Sequence, residues 1–375
     1  MRILFVNHAF PGTFGALASA FASAGHDVLF ASGFRRREFS LPGVRHIVLA
    51  PPKESRASGA KCHAPGLEGA LAAGGQALHA FVRLAEMDLA PDMVITSAVD
   101  GYGLFCGEAF PRAFRVAWTE AQAGIPGEKV RGETAFTRHL LQCRYAVDCH
   151  AFVCLGTGEQ SQFAARLSCG LDVPYAVNSE WFSPGAAGGP ELVLFYSGRQ
   201  SADRSLAAVR GLLKARGRCH VAVLCEGRTV WESWETALAA LPHKERLHLP
   251  GTLSLEGYRE LLRTASLLVC LHRDGLPASM LLEAMSCGIV PVLKEGTGPA
   301  FLRHGQNAFF FRGQDEACGI FLASLLEGRA RLAAVRAGAR GTVLEHFDQN
   351  KAVPQHMRLL LDAYAAWKGQ QPLLA

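Results

Sequence analysis

The sequence predicts an α/β protein of two tandem halves, each a parallel sheet wrapped by helices. Three observations carry this expectation. Short, β-rich apolar runs alternate with helical segments through most of the 375 residues, the pattern that parallel strands with helical crossovers produce. The alternation breaks at Ser183-Pro184-Gly185-Ala186-Ala187-Gly188-Gly189-Pro190, a stretch without apolar period that reads as an interdomain linker. A fresh strand then opens at 191–196 and the alternation restarts.

In the first half the apolar runs predict strands at 2–6, 27–31, 46–50, 92–96, 114–118 and 151–155. Residues 14–24 read as a helix that Gly25 ends. The Pro-, Gly- and Ser-containing stretches 52–67 and 123–133 read as loops. In the second half, strands are expected at 191–196, 219–225, 246–249, 266–271 and 289–293, with a helix from about Ala278. Residues 350–369 read as an amphipathic helix with Met357, Leu360, Leu361 and Tyr364 on one face.

With 49% hydrophobic and 19% charged residues the composition is globular and excludes wholesale disorder. The formal charge of +5 suits a protein that handles phosphates, yet is too small and dispersed to indicate nucleic acid. Arg35-Arg36-Arg37 reads as a solvated loop. The 11 cysteines are scattered singly with no CxxC pair, and Cys143, Cys149 and His150 match no zinc spacing. Cysteine used as a small buried hydrophobe implies a reducing compartment. The opening strand is too short for a signal peptide, and no apolar run approaches a membrane span. A cytoplasmic protein is expected, with peripheral contact to the inner face of a membrane left open.

Three segments carry candidate chemistry. Asn7-His8-Ala9-Phe10-Pro11-Gly12-Thr13-Phe14-Gly15 follows the first strand and opens a helix, where open α/β sheets bind ligands. Its glycines let backbone approach a ligand, although a plain strand-to-helix turn would look the same. The spacing is not the dinucleotide fingerprint, which disfavours a nicotinamide or flavin cofactor. The second segment, Tyr196-Ser197-Gly198-Arg199 with Arg204, sets two guanidinium groups where they could straddle a diphosphate; two surface arginines are the alternative. The third runs from Asp274-Gly275 through Ser279-Met280-Leu281-Leu282 to Glu283 and Met285. Its helix start offers N–H groups to a phosphate. Glu283 could accept hydrogen bonds from ribose hydroxyls or be a solvated helix residue, but a carboxylate among Leu281, Leu282, Ala284 and Met285 usually has a partner.

At these residues the chain resembles the GT-B glycosyltransferases of glycosyltransferase family 4, which retain anomeric configuration and use nucleotide-diphosphate sugars without a metal. The resemblance covers nearly the whole chain. It rests on Arg2-Ile3-Leu4-Phe5-Val6 followed by Phe10-Pro11-Gly12, on Gly101-Tyr102-Gly103, on Phe110-Pro111, and on Gly198-Arg199 with Arg204. Its most specific part is Leu282-Glu283-Ala284-Met285-Ser286-Cys287-Gly288 with Pro291-Val292. The resemblance implies two Rossmann-like domains facing a central cleft. An acceptor-side domain would span 1–182 and a donor-side domain 183–349, with a helix at 350–375 crossing back to the first. It implies that Arg199 and Arg204 neutralise the departing diphosphate in place of a metal. Glu283 would hold the ribose, and Met280 and Leu281 would offer backbone N–H groups to phosphate. Gly251, Thr252 and Leu253 would lie along the base.

The chain departs from the family's pattern in three places. Gly275 stands where the family carries the first of two glutamates separated by seven intervening residues, with Asp274 one residue early. The strand ending near Trp118 leads to Thr119-Glu120 where a histidine is usual, which makes Glu120, like His8, a candidate sugar or acceptor contact. Arg204 replaces a lysine. The expected activity is glycosyl transfer from a UDP- or GDP-linked sugar as co-substrate, with no other cofactor and no metal, to a glycan, lipid-linked sugar or protein. The alternatives are an inactive relative that binds a nucleotide sugar or a partner protein, and an epimerase or hydrolase of the nucleotide sugar itself.

Overall fold

A computed structural model describes residues 1–35, 39–49, 66–120, 133–156, 167, 169–185, 191–198, 203–225, 228–239, 241, 243–272 and 276–370. The chain divides into two compact units, Met1–Pro174 with Ala352–Ala375, and Tyr175–Lys351. The boundary lies before the linker read at 183–190, because residues after Pro174 are tied into the second unit. Val177 bridges Asp348, the Ser179 hydroxyl donates to the Asp348 carboxylate at 2.6 Å, and the Phe182 carbonyl accepts from Ser286 Oγ at 2.6 Å.

In the first unit the strands are β1 (Arg2–Phe10), β2 (Asp27–Arg35), β3 (Val44–Val48), β4 (Met93–Ser97), β5 (Phe114–Glu120), β6 (Ala151–Gly156) and β7 (Gly170–Pro174). The helices between them are α1 (Gly15–Ser23), α2 (Leu67–Glu86), α3 (Cys106–Ala109) and α4 (Glu133–Asp148). All pairings are parallel, in the order β3-β2-β1-β4-β5-β6-β7. Central β1 has Ile3, Leu4, Phe5 and Val6 fully buried, as a strand covered on both faces requires. One face carries Phe5 against Phe14, Phe21 and Phe30, with ring centres 5.6, 6.2 and 5.9 Å away. The other face carries Leu4 and Val6 against Ala73, Ala77 and Phe81 of α2. The small residues of α2 let it approach the loop after β4, where a Cβ on Gly101 would stand 2.5 Å from the Ala70 carbonyl.

The second unit holds β8 (Glu191–Gly198), α5 (Asp203–Ala215), β9 (Cys219–Cys225), α6 (Arg228–Ala239), β10 (Leu247–His248) and α7 (Leu255–Thr264). It continues through β11 (Ala265–Cys270), α8 (Ala278–Ser286), β12 (Val290–Lys294), β13 (Phe309–Phe311), α9 (Asp315–Glu327) and α10 (Arg329–His346). Its strands are again parallel, in the order β10-β9-β8-β11-β12-β13. Buried Trp234 donates its indole N–H to Ser197 Oγ at 2.9 Å, pinning α6 to the end of β8. The Arg246 guanidinium, 9% exposed, donates to the Leu213 and Arg216 carbonyls at 2.8 Å each and to Cys219 at 3.3 Å. It thereby satisfies the last carbonyls of α5, which a helix end otherwise leaves without partners. Arg216 grips both Glu191 oxygens at 2.8 Å, a bidentate pair that holds the start of β8.

The last helix, α11 (Gln349–Gln370), has its residues from Ala352 onward in the first unit. Tyr364 and Trp367 lie 5.8 and 5.4 Å from the Phe114 ring, and His356 donates from Nε2 to the Pro174 carbonyl at 2.8 Å. Burial holds the His356 pKa below its ordinary value. The cysteines among the described residues carry free thiols, and burial raises that of Cys219 to about 12. Among the described residues no helix is long and apolar enough to cross a membrane.

Candidate functional site

In both sheets the strand order reverses between the first and fourth strands of the unit: β1 beside β4, and β8 beside β11. Ligands of open α/β sheets bind beyond the carboxyl ends of strands at such reversals. Two of the segments singled out in the sequence begin within the last residues of β1 and β8, and the third follows β11.

In the first unit, β1 outruns its neighbour. Its ladder with β4 ends at Val6↔Thr96, whereas the ladder with β2 continues to Phe10↔Arg35. A carboxylate takes over where the β4 backbone turns away. Asp100, 4% exposed, accepts the His8 N–H at 2.7 Å and the Tyr102 N–H at 3.2 Å. Burial raises its pKa to about 7, outweighing the opposing hydrogen bonds from His8, Tyr102 and Ser97. Tyr102 lies against His8, ring centres 6.0 Å apart, and its hydroxyl fills the space beside Gly33, where a Cβ would come within 2.1 Å. Gly12 (φ +49°) packs on Asn7, whose Nδ2 would stand 2.1 Å from an added Cβ, so both conformation and space require glycine. The His8 side chain is exposed beside this knot. Near the end of β5, Thr119 accepts from buried Gln142 at 3.1 Å. Glu120 ends β5, and its side chain lies outside the described residues.

In the second unit the ladder of β8 with β9 shifts register between Tyr196 and Gly198, the last pair being Gly198↔Cys225, and Gly198 takes φ +61°. Arg199, Asp274 and Gly275 lie outside the described residues, as does the Arg204 side chain; the Arg204 backbone stands in the first turn of α5. Beyond β11, helix α8 starts at Ala278 with Pro277 as its N-cap and no capping side chain. The first-turn N–H groups of Ala278, Ser279 and Met280 therefore have no intrahelical acceptor. The Leu281 N–H, expected to face phosphate, instead closes the first turn on the Pro277 carbonyl at 3.0 Å.

Glu283 is half-buried one turn further along α8, and its Oε2 accepts the Tyr258 hydroxyl at 2.9 Å. Burial, then the Glu283 charge, raises the Tyr258 pKa, so this hydroxyl stays a donor. Tyr258 belongs to α7, whose N-cap Ser254 accepts the Gly257 N–H at 3.0 Å. Immediately before that cap run Gly251 (φ +64°), Thr252 and Leu253, the first two exposed. Tyr258 thus ties the helix after this loop to the helix that carries Glu283.

Sequence reasoning missed Asp100 and Tyr258. Asp100 had a usable signal: a carboxylate opening a glycine turn after a strand beside the reversal point. Tyr258 had none, because its partner lies 25 residues away and on another helix. Among the described residues no group of three or more His, Cys, Asp or Glu side chains gathers around a metal position.

Two parallel Rossmann-like sheets and a C-terminal helix define the GT-B class. The comparisons agree. A model described as "Glycosyl transferase family 4 group" matches residues 24–142, about a third of the chain, and supports the family 4 resemblance there. Sucrose-phosphate synthase from Thermosynechococcus elongatus superposes with a TM-score of 0.72 at 14% identity, covering 98% of this chain and 100% of that one. HepE of Anabaena, in complex with UDP-glucose, gives 0.71 at 12% identity, covering 96% and 100%. A UDP-N-acetylglucosamine 2-epimerase gives 0.64 at 12% identity, covering 99% and 98%. At these identities the likeness shows the fold. No curated protein matches the sequence.

Proposed function

We propose that the chain is a retaining glycosyltransferase whose second unit holds a nucleoside-diphosphate sugar, UDP- or GDP-linked, beyond the carboxyl ends of β8 and β11. The observation that carries this reading is the uncapped start of α8 at the reversal point, one turn before an oriented Glu283. Helix N-termini favour anions through their free N–H groups and the helix dipole. The N–H groups of Ser279 and Met280 would bind phosphate oxygens, and Glu283 would accept from the ribose hydroxyls. Arg199 and Arg204 would take up the charge that develops as the nucleoside diphosphate leaves, an electrostatic role that needs no metal. The loop Gly251–Leu253 would lie along the base. HepE, a structural neighbour, is titled as a complex with UDP-glucose, which supports this class of donor. Acceptor contacts would fall to the first unit, where His8 and Glu120 are the candidates. The reaction would run in the cytoplasm.

A second reading has its own observation: Gly275 occupies the position of the family's first glutamate. An inactive relative would still bind the nucleotide sugar but release no nucleoside diphosphate from it.

Thermal unfolding with UDP, GDP, ADP and CMP tests the donor site. A ligand at about a hundred times its Kd stabilises the folded state by about 2.7 kcal/mol. One of UDP and GDP is expected to raise the melting temperature, and Arg199→Ala and Arg204→Ala each to remove most of the rise. A folded protein that no nucleotide stabilises would end the donor reading. Stabilisation without turnover against any acceptor or water would favour the inactive relative.

A further inference from the structure

We infer that Tyr258 is a positioning residue that sets Glu283 to recognise the ribose hydroxyls, giving the second unit a preference for ribonucleotides over deoxyribonucleotides. The inference rests on the donor reading above and adds to it a residue and a specificity.

Glu283 is half-buried, with Leu282, Ala284 and Met285 fully buried beside it in α8. A glutamate has three side-chain torsions, and an acceptor that samples several rotamers loses affinity each time one must be frozen. The Tyr258 hydroxyl, 2.9 Å from Oε2, fixes one oxygen and so fixes the plane of the group. An ionised carboxylate offers about four lone-pair sites and accepts from several donors at once. Those donors would include the 2′- and 3′-hydroxyls of a ribose.

Tyr258 is itself held. The Phe182 ring meets it edge-on, centres 6.2 Å apart, and the Phe182 carbonyl accepts from Ser286 Oγ at 2.6 Å and from Arg340 at 3.4 Å. Ser286 closes the same helix that carries Glu283, so tyrosine and carboxylate share one rigid support. The contact also joins two parts of the proposed donor site, since Tyr258 lies in the first turn of α7, directly after the Gly251–Leu253 loop and its Ser254 cap. A base seated on that loop and a ribose on Glu283 would be held at a set separation.

Tyr258→Phe deletes the hydroxyl and keeps the ring. Calorimetric titrations would compare wild type, Tyr258→Phe and Glu283→Gln, using UDP or GDP, whichever binds wild type more tightly, and its 2′-deoxy and 3′-deoxy forms. Wild type is expected to bind the ribonucleotide about tenfold or more tighter than either deoxy form, the usual worth of a hydrogen bond to a charged group. Tyr258→Phe is expected to weaken the ribonucleotide about threefold to tenfold and to leave the deoxy forms within twofold, compressing the preference. Glu283→Gln should compress it further. Equal weakening of all three ligands by Tyr258→Phe would mark a merely structural residue, and no change would show that Glu283 needs no orientation; either overturns the inference while the donor site stands. If wild type binds neither nucleotide, the donor reading falls and the inference with it.

Discussion

Gly319→Leu is expected to destabilise the second unit by about 3 kcal/mol or more. Gly319 faces α5 from α9. A Cβ built there would stand 2.4 Å from the Leu212 nitrogen, 2.5 Å from the Gly211 carbonyl carbon and 2.6 Å from the Ala208 oxygen. These are backbone atoms of a helix, so no side chain can swing aside, and the helices must separate. Behind them lies a packed core in which Val209, Leu212, Leu213, Cys318 and Leu322 are fully buried. Moving α9 outward opens voids among these residues, and close-packed interiors lose contacts steeply with small gaps. Gly319→Ala meets the same atoms with one carbon and should cost less. Urea unfolding followed by tryptophan fluorescence reads both effects, since Trp234 is in the same core. An unfolding midpoint for Gly319→Leu equal to that of wild type would contradict this packing. The substitution would also reach the candidate site, because α5 carries Arg204 in its first turn.

Asp100→Asn is expected to remove a pH dependence of stability on the order of 4 kcal/mol. In the folded chain burial raises the carboxyl pKa to about 7, against an ordinary value of 3.8. Between these values the folded state keeps a proton that the unfolded chain has already released. Stability therefore falls as pH rises from about 4 to about 7, then levels above the folded pKa. Asparagine carries no such proton, so the difference in unfolding free energy between variant and wild type should slope across this window and flatten outside it. Unfolding titrations at half-unit pH steps from 4 to 8 measure it. Parallel pH profiles for the two proteins would show that folding does not raise the Asp100 pKa. Because Asp100 accepts the His8 N–H, the same substitution should loosen the segment that presents the exposed His8 side chain.

Much of the fold could be read from the chain because its strands are central and covered on both faces. Arg2–Val6, Phe114–Trp118 and Ser266–Leu271 are apolar runs with few competing interpretations, and each lies within a strand or reaches one residue beyond it. The two unread strands are edge strands. Gly170–Pro174 contains glycine, aspartate and proline, residues that an edge tolerates and a central strand does not, and Phe309–Phe311 is three residues long. Strand β1 runs on to Phe10 because β2 pairs with it that far, a partnership invisible in its own residues.

The candidate site divides in the same way. Glycines with forced conformations, Gly12 and Gly198, announce themselves beside strand ends, and the apolar surroundings of Glu283 rightly suggested that it has a partner. Which partner could not be read, because Tyr258 meets it through tertiary packing of two helices. Of the three α8 positions expected to face phosphate, Ser279 and Met280 have first-turn N–H groups without an intrahelical acceptor, whereas the Leu281 N–H donates to the carbonyl of the cap residue Pro277.

The central claim is that the second unit binds a nucleoside diphosphate at the reversal point between β8 and β11. Amide hydrogen exchange of the wild-type chain, with and without saturating UDP or GDP, tests it most directly. Slowed exchange is expected in peptides covering 251–258 and 276–286, with the amides of Ser279 and Met280 among the most protected. Protection by a bound nucleotide confined to residues 1–174 would contradict it.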